Sequence, residues 1–248
     1  MSNFQQLKDQ GLVILYDTTQ ISKISADWFT LNYWQAQQAV LGGAPGRGTS
    51  LFINTPAGEA VWRHYQRGGL PGRFIKDSYI WQGLENTRAW QEFKLTAQLL
   101  EMGLPVPTPL AACVKRKGLV YSADLITLRI PNAQPLHDLL VNSDPLQPAT
   151  LNLLLQEVGK TVQAFHALGV NHTDLNPRNI LVDSVLNKIW LIDFDRCQLT
   201  QPNPTLANNN IQRLERAFIK LAALLNSQQS AAWLKSFMTG YNLKAKKG

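Results

Sequence analysis

The sequence predicts an α+β chain of two lobes, a β-rich N-terminal half (1–128) and a mainly helical C-terminal half (129–248). Short β-like runs divided by glycine-rich turns fill the first half, and one strongly periodic helix interrupts them. Long helical patterns, broken by one strand–turn–strand unit, fill the second. Strands gathered in one part of a chain and helices in another make an α+β domain and not an alternating α/β sheet.

In order, LVILY (12–16) reads as a strand. DWFTLNYWQAQQAV (27–40) reads as a helix capped by Asp27, because an Asp side chain accepts from the free N–H groups of a first turn. LGGAPGRGTSLFI (41–53) is a glycine-rich turn feeding a strand, and AVWRHY (60–65) is a second strand. TRAWQEFKLTAQLLEM (87–102) repeats Trp90, Phe93, Ala97 and Leu100 at helical spacing and stops at Gly103. Two strands flank the turn at KRKG (115–118), and a short helix at 135–141 opens the second half. The helix at 148–168 aligns Leu151, Leu154, Val158, Val162 and Phe165 on one face. A strand–turn–strand unit (179–194) and helices at about 209–226 and 232–238 complete the chain.

The composition is that of an ordinary globular protein: 248 residues, 45% hydrophobic and 17% charged. The net charge of +7 favours an anionic partner such as a nucleotide or an acidic membrane surface. A nucleic-acid binder is set aside, since no helix-turn-helix, RNP or zinc-finger pattern is present. The two cysteines, Cys113 and Cys197, have neither the number nor the spacing of a disulfide framework or zinc site, which suits a reducing compartment. The N-terminus lacks a secretory-signal pattern, and no run approaches the roughly 18 apolar residues of a membrane span.

The chemistry concentrates in HTDLNPRN (172–179) and LIDFDRC (191–197). Phosphoryl transfer needs a carboxylate to orient or deprotonate the attacking hydroxyl, and oxygen ligands to hold Mg²⁺ on the nucleotide phosphates. Asp174 suits the first role; Asn179, five residues on, and Asp193, beyond the hairpin, suit the second. The spacing matches the H-x-D-L-x-x-x-N catalytic loop of kinases, and Asp193–Phe194 repeats the Asp-Phe pair of their metal-binding loop. His172 is read as a brace for the loop, not a reactant.

ATP contacts are expected from the first half. Gly43, Gly46 and Gly48 lie in a stretch suited to cover phosphates, since glycine lets the backbone approach their oxygens closely. Arg63 occupies the strand position where kinases carry a phosphate-binding lysine; Lys76 and Arg67 are the other cations for that role. Glu92, in the following helix, is its natural partner. No A-P-E signature follows Asp193, Asn176 stands where protein kinases place a lysine, and Asp195 replaces the glycine of D-F-G. These departures point away from a protein substrate and towards a small molecule.

VWRHYQRGGLPGRF (61–74), RAWQEF (88–93), GLPVPTPLAA (103–112), HTDLNPRNILVD (172–183) and WLIDFDRC (190–197) together resemble the 3-deoxy-D-manno-octulosonic acid (Kdo) kinases of Gram-negative bacteria. The resemblance implies a protein-kinase-like fold with a shortened C-lobe, and ATP-dependent phosphorylation of a Kdo hydroxyl, typically the 4-OH, on Kdo-lipid A. It implies a peripheral enzyme on the cytoplasmic side of the inner membrane, with Asp174 as base and Asn179 and Asp193 on magnesium. A lipopolysaccharide-core heptose kinase, or another small-molecule kinase with the same machinery, is the alternative; a nucleotide-binding pseudokinase is a third. An anionic lipid acceptor suits the basic cluster Arg63, Arg67 and Arg73. Trp28, Phe29, Tyr33, Trp34 and the basic tail KAKK (244–247) are candidate membrane contacts.

Overall fold

The computed structural model describes residues 3–44, 50–66, 77–142, 144–183, 185–186, 188–226 and 228–243. They form two compact units: residues 1–102 with 107–129, and residues 103–106 with 130–248.

The first unit is built on an antiparallel sheet. Its strands are β1 (Phe4–Asp9), β2 (Leu12–Asp17), β3 (Val40–Ala44), β4 (Ser50–Thr55), β5 (Gly58–His64), β6 (Tyr79–Ile80), β7 (Pro109–Lys117) and β8 (Val120–Leu128). The spatial order is β1-β2-β7-β8-β5-β4-β3, with β6 on β8. β1 is an edge strand that sequence reading passes over, because FQQLKD is too polar to show an apolar alternation. Consecutive side chains of a strand point to opposite faces. In β5, Trp62 therefore joins one core cluster, with Ile14, Ile53 and Ile126, while Tyr65 just beyond it joins the other. Helix α2 (Arg88–Glu101) covers the second face through Ala89, Trp90 and Phe93.

The helix expected at 27–40 is broken in two. A 3-10 turn at Ala26–Phe29 is followed by extended Thr30, then α1 (Leu31–Ala36), and Val40 already belongs to β3. Asp27 lies inside the 3-10 turn instead of capping a helix. Trp34 Nε1 donates to Trp28 O at 2.7 Å, and both indoles are buried against the sheet. Sheet packing of Trp28 and Trp34 overrides the helical pattern, and these two residues are core and not membrane contacts.

The second unit comprises β9 (Ala133–Pro135), α3 (Leu136–Val141), α4 (Pro148–Ala167), β10 (Val170–Asn171), β11 (Ile180–Asp183), β12 (Ile189–Leu191), β13 (Gln198–Leu199), α5 (Pro204–Leu224) and α6 (Ser230–Tyr241). Helix α5 starts five residues before the expected 209. Asn203 Oδ1 accepts from the Thr205 and Leu206 backbone N–H groups, and Pro204 stands where its missing N–H costs nothing. Helix α4 ends at Gly169, whose φ of +84° lies in the left-handed region open to glycine. Helices α4 and α6 meet at two glycines. A Cβ on Gly159 would stand 2.1 Å from Phe237 O, and one on Gly240 would stand 1.9 Å from Gln156 O.

A buried polar chain links three helices to the loop after β10. Asn210 Oδ1 accepts from His172 N at 2.9 Å and contacts His166 Nε2 at 3.2 Å, while Asn210 Nδ2 donates to Asn171 Oδ1 at 2.9 Å. His166 Nε2 faces an acceptor and so carries the proton; Nδ1 is left to accept from Tyr241 Oη at 2.8 Å. Burial pushes the His166 pKa down to about 4, opposed by its bond to Asn210.

Two predictions follow from this packing. In an open helix, glycine to alanine is favourable by about 1 kcal/mol. Gly159→Ala instead forces the α4 and α6 backbones apart and lowers stability by about 3 kcal/mol, seen as a lower urea midpoint. His166 stays neutral when folded but charges when unfolded between pH 6.5 and about 4. Stability is unaffected by this group above pH 6.5 and falls as the pH drops towards 4, by roughly 3 kcal/mol. His166→Gln flattens that part of a urea-midpoint-against-pH curve.

Candidate active site

Asp174 and Asn179 lie on the loop between β10 and β11, and Asp193 follows β12. The antiparallel β11–β12 pair sets Ile180 against Leu191, so the two ends of the hairpin are brought side by side. Ile192 completes the join. Its N–H donates to Asn179 O at 3.1 Å, and its carbonyl accepts from His172 Nε2 at 3.0 Å. One residue thus locks the segment entering Asp193 to both ends of the loop that carries Asp174. His172 is the brace that the sequence suggests: buried, with its ring 5.1 Å from that of Phe194. Nε2 faces a carbonyl and bears the proton, while Nδ1 is buried without a partner. Burial lowers its pKa, against the carbonyl bond and the charges of Asp193 and Asp174, and keeps the imidazole neutral.

Asp174 is exposed, as a group that meets substrate must be. Asn179 is buried, and its Nδ2 donates to Asp174 O at 2.9 Å and, more weakly, to Asp174 Oδ2 at 3.4 Å. That fixes the amide orientation and leaves Asn179 Oδ1 without a donor among the described residues. Asp193 holds φ at +65°, a left-handed conformation that costs an ordinary residue about 1 kcal/mol or more. The joined Ile192 peptide before it and buried Phe194 after it enforce that conformation. Phe194 stacks on Phe165 of α4 at 6.1 Å, and Cys197 N donates to Phe194 O at 3.0 Å to close the turn. The cost is absorbed by the packing of these neighbours.

No group of three or more His, Cys, Asp or Glu residues able to hold a metal occurs among the described residues. A cation here would rest on one carboxylate, one amide oxygen and oxygens of the nucleotide. That small set of hard oxygen donors suits Mg²⁺, which keeps water and phosphate ligands instead of a full protein cage. Asn179 and Asp193 therefore fit the ion.

In the first unit, Arg63 on β5 and Glu92 on α2 form an ion pair, as their sequence context suggests. Tyr65, which sequence reading passes over, completes the cluster. Its hydroxyl bonds Glu92 and accepts from Arg63 Nη2 at 3.1 Å, and the guanidinium lies 4.8 Å from its ring centre. The Glu92 side chain is only 4% exposed, so burying its charge requires the cation; the Arg63 side chain is 23% exposed and keeps access to solvent. Gly43 sits in β3 opposite Leu51 of β4, in the strand of a hairpin and not in its turn. Gly46, Gly48, Arg67, Arg73, Lys76 and the KAKK tail lie outside the described residues.

Sequence reading also passes over Asn210, although one signal was present. Asn210, Leu214, Phe218 and Leu221 recur at helical spacing, which puts an amide on a buried apolar stripe. A polar residue there needs a partner, and it finds the catalytic-loop backbone.

Residues 31–241 match the lipopolysaccharide kinase (Kdo/WaaP) family. A protein of Vibrio parahaemolyticus named 3-deoxy-D-manno-octulosonic acid kinase is 42% identical over 216 residues, 87% of this chain and 88% of its own. Namesakes from Vibrio vulnificus and Haemophilus influenzae are 42% and 39% identical, each match covering 92% of this chain and 94% of the relative. Among solved structures, WaaP in complex with acyl carrier protein superposes with a TM-score of 0.55 at 16% identity, over 86% of this chain and 83% of that one. That likeness shows a shared kinase-like fold. The chain belongs to the lipopolysaccharide kinase (Kdo/WaaP) family.

Proposed function

We propose that this protein is an ATP-dependent kinase that phosphorylates a hydroxyl of Kdo, the 4-OH, on Kdo-lipid A during lipopolysaccharide core synthesis. The observation that carries the reading is the joined set at Ile192, where the N–H and the carbonyl of one residue hold the base loop and the Asp193 segment together. The relatives named for this activity, similar over most of their length, support the choice of acceptor.

Each residue has a defined task. Asp174 accepts a hydrogen bond from the sugar hydroxyl and takes its proton as the oxygen attacks the γ-phosphorus, whose bond to the bridging oxygen breaks and releases ADP. Asn179 Oδ1 and the Asp193 carboxylate would hold Mg²⁺, which supplies neutralisation of phosphate charge. Arg63 contributes a permanent positive charge to the phosphates. Glu92 and Tyr65 fix its guanidinium, so little side-chain entropy remains to be lost when a phosphate binds.

For location, we infer peripheral attachment to the cytoplasmic face of the inner membrane. The net charge of +7 and the anionic, lipid-anchored acceptor support it. No helix among the described residues is long and apolar enough to cross a membrane.

Three measurements test these roles. With labelled ATP, label is expected on Kdo-lipid A; transfer confined to a heptosylated core acceptor contradicts the reading. Asp174→Ala should lower kcat by roughly 10²–10⁴-fold with the KM for ATP little changed. Arg63→Ala should instead raise the KM for ATP, by roughly tenfold or more for the loss of a charge-assisted contact. An Arg63→Ala enzyme with wild-type nucleotide kinetics removes Arg63 from the site.

A further inference from the structure

We propose that Arg178, oriented by His137, binds the carboxylate of the acceptor sugar. This rests on the kinase reading above and extends it to how the acceptor is held.

Arg178 lies four residues after Asp174, in a 3-10 turn at Pro177–Asn179. Asn176 ties the two together through its side chain. Its Nδ2 donates to Asp174 O at 2.9 Å, and its Oδ1 accepts from Arg178 N at 2.9 Å. The backbones of base and arginine are therefore held in one turn by a single amide. Asn176 is also where this chain departs from protein kinases.

The guanidinium is held as well. Arg178 Nη2 lies 2.7 Å from His137 Nε2. Arginine has only donors, so Nε2 must present its lone pair. The other ring nitrogen, Nδ1, then carries the proton and donates to Asp138 Oδ1 at 2.8 Å. His137 stands in the first turn of α3, which follows β9, and β9 pairs with β11. An arginine held by a carboxylate has its charge cancelled. This one is held by an imidazole lone pair, keeps its full charge, and keeps N–H donors facing solvent. No carboxylate pairs with Arg178 among the described residues.

A planar cation held beside a general base is built to receive a planar anion, and carboxylate is the bidentate match. The acceptor of the proposed reaction is an octulosonic acid. Its C1 carboxylate and its 4-OH are substituents of one small ring, so gripping the carboxylate decides which hydroxyl faces Asp174.

The test uses the full-length enzyme with Kdo-lipid A and with the same acceptor whose Kdo carboxylate is converted to a neutral amide. The wild type should show a KM roughly 10- to 100-fold higher for the amide, the size of a lost charge-assisted pair. Arg178→Ala should show that raised KM for both acceptors, with the KM for ATP unchanged. Arg178→Lys and His137→Ala should fall between. Arg213→Ala, an exposed residue of α5, should match the wild type. Arg178 is exposed, so its variants should retain the wild-type melting temperature. Undiminished discrimination in Arg178→Ala, or an effect on ATP instead of acceptor, overturns the assignment. Wild-type enzyme inactive on both acceptors overturns the kinase reading, and this assignment with it.

Discussion

The backbone of Ile192 is the constraint on which the second unit's candidate site depends. Its N–H is given to Asn179 and its carbonyl to His172, so Asp193 cannot move without moving the loop that carries Asp174. Each bond alone is worth about 1 kcal/mol. Their value is geometric: they convert three separate polar residues into one arrangement. Phe194 strengthens it from the apolar side, packed between His172 and Phe165. A left-handed Asp193 persists because both of its neighbours are held.

Behind that arrangement stands a second layer. Asn210 receives the His172 N–H and fixes the tautomer of His166, which in turn receives Tyr241. Helices α4, α5 and α6 thus reach the loop through hydrogen bonds as well as through apolar packing. Hydrogen bonds along a buried polar chain rigidify it, and removing a member leaves a costly unpaired group. The two neutral histidines, His166 and His172, belong to this layer, and both lose their match to the fold if charged. The Gly159–Gly240 contact sets how closely α6 approaches α4, and so where Tyr241 is delivered.

The first unit solves a different problem with the same economy. Glu92 would be costly as a lone buried charge, and Arg63 and Tyr65 satisfy it. The sheet register places them: alternation along β5 sends Arg63 and Tyr65 to the α2 side and Trp62 to the opposite core.

Helices α2 and α4 were legible because their apolar residues repeat every three to four positions, and strands β2, β5, β7 and β8 because they are short apolar runs between turns. The stretch 27–40 was misread because its aromatics satisfy a helical period while serving sheet packing. The sequence by itself brought out the residues of the proposed site, since Asp174, Asn179 and Asp193 sit at spacings that a loop and one hairpin convert directly into proximity. It also determined family membership, through motifs spread along most of the chain. Only the tertiary structure decided what holds those groups. Tyr65 meets Glu92, Asn210 meets His172 and Arg178 meets His137 across long stretches of chain. Such pairings follow from how helices and strands pack, which no local spacing encodes.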